Sequence, residues 1–319
     1  MKQVSIKNVG IVGAGIMGPG IAEVFAVHSP SADCSVVVYD AAEDALDKAR
    51  ERLDADFTRF HLAGLLDKNV AEKTRNRIRL VSEPDQLQHA ELVIEAVPER
   101  IEIKKKVFQE LDRLLPAAGI LATNSSGLCV SDIAAVTRRP QLCIGTHFVN
   151  PPFLMPLVEV VKGRETADAT VGLVVDMLTA LGKRPVLVKK DVPGYVLNRL
   201  QTAVFRELIS LLEADVMSVP DLEATVRYGF ALRLPVIKVF ELVDLMGLDT
   251  IQAVFAYLFP TLDGSASPPR LIREMVQRGE LGVKSGKGFH DYSQPGVLES
   301  LEKRQAAICQ IVAMVDRFD

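Results

Sequence analysis

Cysteine is scarce. Four residues, Cys34, Cys129, Cys143 and Cys309, stand in a chain of 319, and none forms a paired metal-ligand spacing. That argues against a disulfide framework and against a zinc-type cluster, and a chain of this length can bury a core without staples. The thiols read as reduced packing residues, and no metal is expected. Positive charge is not in excess either: the formal net charge is -4. A general electrostatic footprint for nucleic acid or an anionic membrane is therefore absent. No apolar run approaches the roughly 18 residues of a transmembrane helix, and the opening MKQVSIKNVG lacks the apolar core of a signal peptide. The expectation is a cytoplasmic protein with no nucleic-acid partner and no membrane partner. Internal repeats and low-complexity segments are also missing.

What the chain does have is 48% hydrophobic and 24% charged residues, enough for two domains of ordinary size. Short apolar runs alternate with helix-like segments through the first 190 residues: NVGIVG, SVVVYD, ELVIEAV, GILATNSS, QLCIGTHF, LVEVV and RPVLVKK. Such alternation marks βαβ units and a largely parallel sheet. The charged stretch from 41 to 88 is too long for a simple crossover and predicts two helices projecting from the sheet. KKDVPG then supplies a turn, and strand-like runs largely cease beyond it. The predicted organisation is an α/β domain over 1–190 and an all-α domain over 191–319. The helical half carries apolar faces suited to packing on itself or on a second copy, and a homodimer is expected.

In GIVGAGIMGPGIAEVFA the glycines Gly13, Gly15 and Gly18 follow a credible buried strand and open a credible helix. The first glycine suits a tight turn, the second lets backbone approach a pyrophosphate, and the third permits close helix-to-strand packing. Between them Ile16 and Met17 bring backbone N–H groups to the helix start, where phosphate oxygens are favoured. Taken alone, the pattern also fits a merely structural turn. Asp40, at the end of SVVVYD, changes the balance, because a carboxylate there accepts bonds from ribose hydroxyls and repels a 2′-phosphate. NAD is expected over NADP.

His147 follows QLCIG and should stand at the carboxyl end of a strand, the edge where open α/β sheets bind ligands. Glu159 lies in LVEVV among apolar neighbours, so it faces water or needs a buried partner. The prolines Pro151, Pro152 and Pro156 allow a return path that brings the two together, giving a general base for an alcohol proton. A surface glutamate and a capping histidine would fit the spacing as well. Asn124, Ser125 and Ser126 end another strand, where they can bind nicotinamide or substrate oxygen, or simply form a turn. Asn198, early in an amphipathic helix, can reach the cleft or face solvent.

GAGIMGPGIA, VVVYD, IEAVPERIEIKKKVFQELD, ATNSSGL, GTHFVNPP, LVEVV, DVPGYVLNRL and GVKSGKGFHDY together resemble the L-3-hydroxyacyl-CoA dehydrogenase family, in order and across nearly the whole chain. The resemblance implies a Rossmann-like domain with a helical insertion, a helical dimerisation domain, and NAD-dependent interconversion of a 3-hydroxy and a 3-keto group, as in fatty acid metabolism. It implies His147 as the base, Glu159 as its partner, and Ser126 and Asn198 as contacts to the substrate. For the cofactor it implies the glycine loop, Asp40, Ala96, Glu99, Lys104, Ser126, Asn150 and Lys284. EIKKKVFQE by itself reads only as a solvated basic helix face.

Two departures bear on the substrate. Acyl-CoA members usually carry lysines around a glycine of the helical projection, whereas here Leu62, Ala63 and Leu65 surround Gly64, with Arg59 and Lys68 nearby. VNPPFLMPLVE and GYVLNRLQ are closer to the branch that includes L-gulonate 3-dehydrogenase and other dehydrogenases of free hydroxy acids or hydroxymethyl aromatic acids. Lys238-Val239 stands where the family usually has Gly-Pro. The first expectation is a 3-hydroxyacyl-CoA dehydrogenase and the second a dehydrogenase of a free acid. The alternative outside catalysis is a crystallin-like dinucleotide-binding protein.

Overall fold

The computed structural model describes residues 6–62, 64, 66–315 and 317. They fall into two compact units, the first ending at Asn198 and the second beginning at Arg199.

The first unit is built on an eight-stranded sheet with the order β3-β2-β1-β4-β5-β6-β7-β8. Its strands are β1 (Asn8–Val12), β2 (Ser35–Tyr39), β3 (Ile78–Val81), β4 (Leu92–Glu95), β5 (Ile120–Thr123), β6 (Cys143–Phe148), β7 (Leu157–Val161) and β8 (Arg184–Val188). All pairs are parallel except β6 with β7. The inner strands are apolar on both faces because helices cover both. Alternation along each strand divides the core. Val9 and Ile11, with Leu92 and Ile94, pack with residues of α1 (Met17–His28) and α6 (Asp168–Ala180). Val12 and Val93 point the other way, towards Phe108 and Leu111 of α4 (Ile101–Leu114) and Ile133 of α5 (Val130–Ala134).

The stretch 41–88 does contain two helices, α2 (Glu43–Leu62) and α3 (Lys68–Arg75), pinned by a small cluster of Leu53, Phe57, Phe60 and Ala71. It also holds β3, which the sequence reading passed over. IRLV is only four residues long and nowhere fully buried, so its apolar signal is weak. Ala63 and Leu65, two of the residues read as replacing family lysines, lie outside the described residues.

The second unit is helical from α7 (Leu197–Glu213), which begins in the first unit, through α8 (Val219–Ala224), α9 (Val239–Met246), α10 (Leu248–Leu258), α11 (Arg270–Gln277), α12 (Val297–Ala306) and α13 (Ile308–Val315). Lys238 is the N-cap of α9, and its backbone N–H donates to Glu241 at 3.0 Å. Among the described residues of this unit, Leu222, Ile251 and Met275 are buried apolar side chains, while Phe240 and Tyr257 are 82% and 78% exposed. No single described helix is long and apolar enough to cross a membrane.

Candidate active site

Because β1, β2, β4, β5 and β6 run parallel, the loops at their carboxyl ends share one edge of the sheet. Chain order reverses between β1 and β4, and such a switch point opens a crevice above the strands. The glycine turn sits there. Gly13 has φ +109°, and a Cβ on it would lie 2.7 Å from the Ala96 carbonyl oxygen. A Cβ on Gly18 would lie 1.9 Å from the Gly13 carbonyl oxygen, whereas one on Gly15 would meet nothing within 4 Å. Two glycines are thus demanded by packing inside the protein, and the third leaves backbone open on the outside, as a cradle for a pyrophosphate requires. Helix α1 starts there with no side-chain cap and no acid in its first turn, so its N–H groups remain available to an anion. Ala96 itself contributes backbone, its N–H donating to the Val12 carbonyl at 2.7 Å and its carbonyl backing Gly13.

Asp40 directly follows β2. One carboxylate oxygen accepts the Ala14 N–H at 2.8 Å and the other the Ala42 N–H at 3.0 Å. Each oxygen keeps lone-pair capacity for a ribose hydroxyl. These residues fit a dinucleotide, and the carboxylate disfavours one carrying a 2′-phosphate.

After β4 the chain supplies Glu99, whose Oε1 accepts the Ser125 hydroxyl at 2.5 Å and the N–H groups of Ser126 and Gly127 at 3.0 Å each. Burial alone would push this carboxyl up, but the Ser125 hydroxyl and the Lys104 ammonium outweigh it and hold the group below its usual range. Lys104, on α4, is 1% exposed. Its Nζ lies 2.7 Å from Glu95 Oε1, 3.2 Å from the Val97 carbonyl and 3.2 Å from Glu99 Oε2. The basic helix face of EIKKKVFQE therefore contains one lysine turned inward. Glu95, absent from the sequence-derived candidates, is fully buried and also accepts the Thr123 hydroxyl at 2.7 Å and the Val97 N–H at 2.8 Å. Like Glu159 it is an acid in an otherwise apolar strand, and that is its signal in the sequence.

His147 and Glu159 are register partners across the antiparallel β6–β7 pair. Opposed residues share a face of the sheet, so twelve positions of sequence become a hydrogen bond of 2.7 Å between Nδ1 and Glu159 Oε2. Both side chains are buried. The other oxygen of Glu159 accepts the N–H groups of Val196 and Leu197 at 3.0 and 2.9 Å. Burial would push the Glu159 carboxyl up; the His147 hydrogen bond and these amides outweigh it and hold the group low. A carboxylate at Oε2 makes Nδ1 the donor and leaves Nε2 with the lone pair a general base needs.

Four further candidates are Ser126, Asn198, Asn124 and Asn150. Ser126 is exposed at the end of β5, and the Asn198 side-chain amide donates to its backbone carbonyl. Asn124 is buried, its side-chain oxygen accepting the Phe148 N–H at 2.8 Å, which ties the ends of β5 and β6 together. Asn150 is exposed just before a cis peptide bond to Pro151. Lys284 belongs to the second unit, exposed in the turn Val283–Ser285. Among the described residues no group of three or more His, Cys, Asp or Glu could hold a metal ion.

A phosphate cradle and a buried base thus open on the same sheet edge, and that combination defines an NAD-dependent oxidoreductase with a doubly wound dinucleotide domain. The chain belongs to the 3-hydroxyacyl-CoA dehydrogenase family: residues 8–192 match the model of its NAD binding domain and residues 194–292 that of its C-terminal domain. It is 34% identical over 302 residues to 5-formyl-3-hydroxy-2-methylpyridine 4-carboxylate 5-dehydrogenase of Mesorhizobium japonicum, covering 94% of this chain and 95% of that protein. It is 35% identical over 292 residues to a probable 3-hydroxybutyryl-CoA dehydrogenase of Bacillus subtilis, covering 91% and 99%. A solved structure of a dehydrogenase of the same pyridine carboxylic acid superposes with a TM-score of 0.87, at 32% identity and 98% and 99% coverage. That of (S)-3-hydroxybutyryl-CoA dehydrogenase from Ralstonia eutropha gives 0.74, at 34% identity and 91% and 100% coverage.

Proposed function

We propose that the chain oxidises the 3-hydroxyl of a 3-hydroxyacyl thioester and runs the reverse reduction, with His147 as the base. The observation that carries this reading is the buried His147–Glu159 pair on the sheet edge that also holds the glycine cradle. His147 Nε2 takes the hydroxyl proton, and Glu159 stabilises the imidazolium that forms. Ser126 and Asn198 orient the substrate oxygen, while Asp40 and the glycine turn hold the dinucleotide. Bound NAD supplies the hydride acceptor. The familial likeness to 3-hydroxybutyryl-CoA dehydrogenases supports the thioester.

A second reading, oxidation of a hydroxymethyl aromatic acid or another free hydroxy acid, is favoured by a specific feature of the helical projection. Its arginines are matched to acids of the same projection: Arg59 to Asp56 at 3.1 Å, Arg52 to Asp56 at 3.5 Å, and Arg75 to Asp54 at 2.7 Å. Cations already paired are poorer ligands for CoA phosphates. The likeness to the pyridine carboxylate dehydrogenase agrees with it.

Steady-state NADH formation separates the two. 3-Hydroxybutyryl-CoA should be turned over with a kcat/KM at least tenfold above that of L-gulonate and 3-hydroxybutyrate, and NADP should replace NAD poorly. The opposite order of substrates would favour the free acid, and no turnover of any 3-hydroxy compound would sink both readings.

The protein is further proposed to be a cytoplasmic homodimer joined through its helical unit. Phe240, Leu245 and Tyr257 there are 82%, 73% and 78% exposed, an apolar surface that a lone chain would leave in water. Sedimentation equilibrium should give twice the mass of one chain; a monomer at micromolar concentration would contradict it.

A further inference from the structure

Tyr195 was no part of the sequence-derived site, yet its ring lies beside His147 and its hydroxyl bonds the loop that carries Ser126. The residue is fully buried, and its φ of 49° places a bulky side chain in the left-handed region. Such a conformation is unfavourable for a bulky residue and persists only where surrounding contacts enforce it. Here the contacts are specific. The Tyr195 hydroxyl donates to the Leu128 carbonyl at 2.7 Å, and the neighbouring Gly194 N–H donates to the Gly127 carbonyl at 3.0 Å. Asn198 adds its bond to the Ser126 carbonyl. Three bonds thus stitch 194–198 to the loop that carries Ser126.

The same segment also holds the base. The turn at Tyr195 brings the next two amides, of Val196 and Leu197, onto Glu159 Oε1, and the Tyr195 ring lies 5.8 Å from the His147 ring between centroids. Burial pushes the phenol well above its usual range, so the hydroxyl remains a donor. Removing its hydrogen bond would take away the anchor on the Leu128 carbonyl, leaving the Leu128 N–H on Ser125 Oγ at 2.9 Å and the ring in place.

We propose that Tyr195 is a positioning residue for proton abstraction, its hydroxyl and left-handed turn locking the Ser126 loop and the His147–Glu159 pair into one arrangement. This rests on the dehydrogenase reading. A tyrosine that only fills the core would contribute to folding and nothing more, and the two roles differ in what they do to chemistry.

The test is Tyr195→Phe, which keeps the ring, with Tyr195→Leu as the variant that also removes the ring beside His147. With whichever 3-hydroxy substrate the wild-type enzyme oxidises, Tyr195→Phe should lower kcat per folded site by about tenfold, since small misplacements of reacting groups are costly. Its Kd for NAD should stay within about twofold. The primary deuterium isotope effect on kcat, from substrate deuterated at the carbinol carbon, should rise as hydride transfer becomes more limiting. Tyr195→Leu should lose more of kcat. An unchanged kcat per folded site, or a loss accounted for by weaker NAD binding, overturns the proposal. Backbone hydrogen exchange of the NAD complex provides a readout that needs no substrate: in Tyr195→Phe the amides of 126–128 should exchange faster. Unchanged exchange overturns the clasp, even if the substrate reading itself has failed.

Discussion

Replacing His147 with alanine should lower kcat by about a thousandfold, within the range that a positioned general base supplies, and leave NAD binding nearly intact. The separation follows from the fold. The cradle lies after β1 and β2, whereas His147 is on β6 and bonds to Glu159 of β7. Glu159 keeps two amide donors on its other oxygen when the imidazole is gone, so it is not stranded as an unpaired buried charge. Glu159→Gln should cost less than the loss of the base, because the ring retains a hydrogen-bonding neighbour but no longer a charge opposite the imidazolium. The sign of the pH effect is set by the depressed carboxyl. Its contribution to stability is present above the unfolded carboxyl pKa of about 4.3 and is lost only as pH falls through the lower folded value. Calorimetric titration with NAD and stopped-flow NADH formation check the first claim; unaltered turnover in His147→Ala would remove His147 as the base.

Lys104→Met should destabilise the first unit by about 3–5 kcal/mol, the usual cost of stripping one partner from a buried ion pair. Lys104 and Glu95 are 1% and 0% exposed, and their bond is 2.7 Å. Without the ammonium, Glu95 keeps the Thr123 hydroxyl and the Val97 N–H, which solvate a carboxylate only in part. Glu99 would also lose a cation while still gathering the Ser125 hydroxyl and loop amides. For a unit of this size, 3–5 kcal/mol corresponds to a fall in Tm of about 10 °C. The double variant Glu95→Gln with Lys104→Met should recover part of the loss, because no buried charge is left unpaired. Urea unfolding of the single and double variants measures both; a single-variant cost below about 1 kcal/mol would show that the pair is worth no more than an exposed one.

The cofactor cradle was legible because its parts are local. Gly13, Gly15 and Gly18 are set by a turn, and Asp40 directly follows the next strand, where short continuous apolar runs announce the sheet. The same locality explains the miss at β3, whose four residues, none of them buried, carry too little apolar signal to stand out among charges. His147 and Glu159 were legible as residue types, since each is a polar group set in or beside an apolar strand.

From the sequence alone came most of the strands and helices, the cradle with its fit to NAD, and His147 with Glu159 as candidates for the base and its partner. Tertiary structure decided how the distant groups meet. The β6–β7 register put Glu159 opposite His147; the inward turn of one lysine among three on α4 joined Glu95 to Glu99; and a left-handed tyrosine fastened α7's first residues to the Ser126 loop. The reason is physical. Turn and strand propensities act over a few neighbouring residues, whereas register and the direction of a buried side chain are fixed by the packing and charge of chain segments 9 to 67 positions apart.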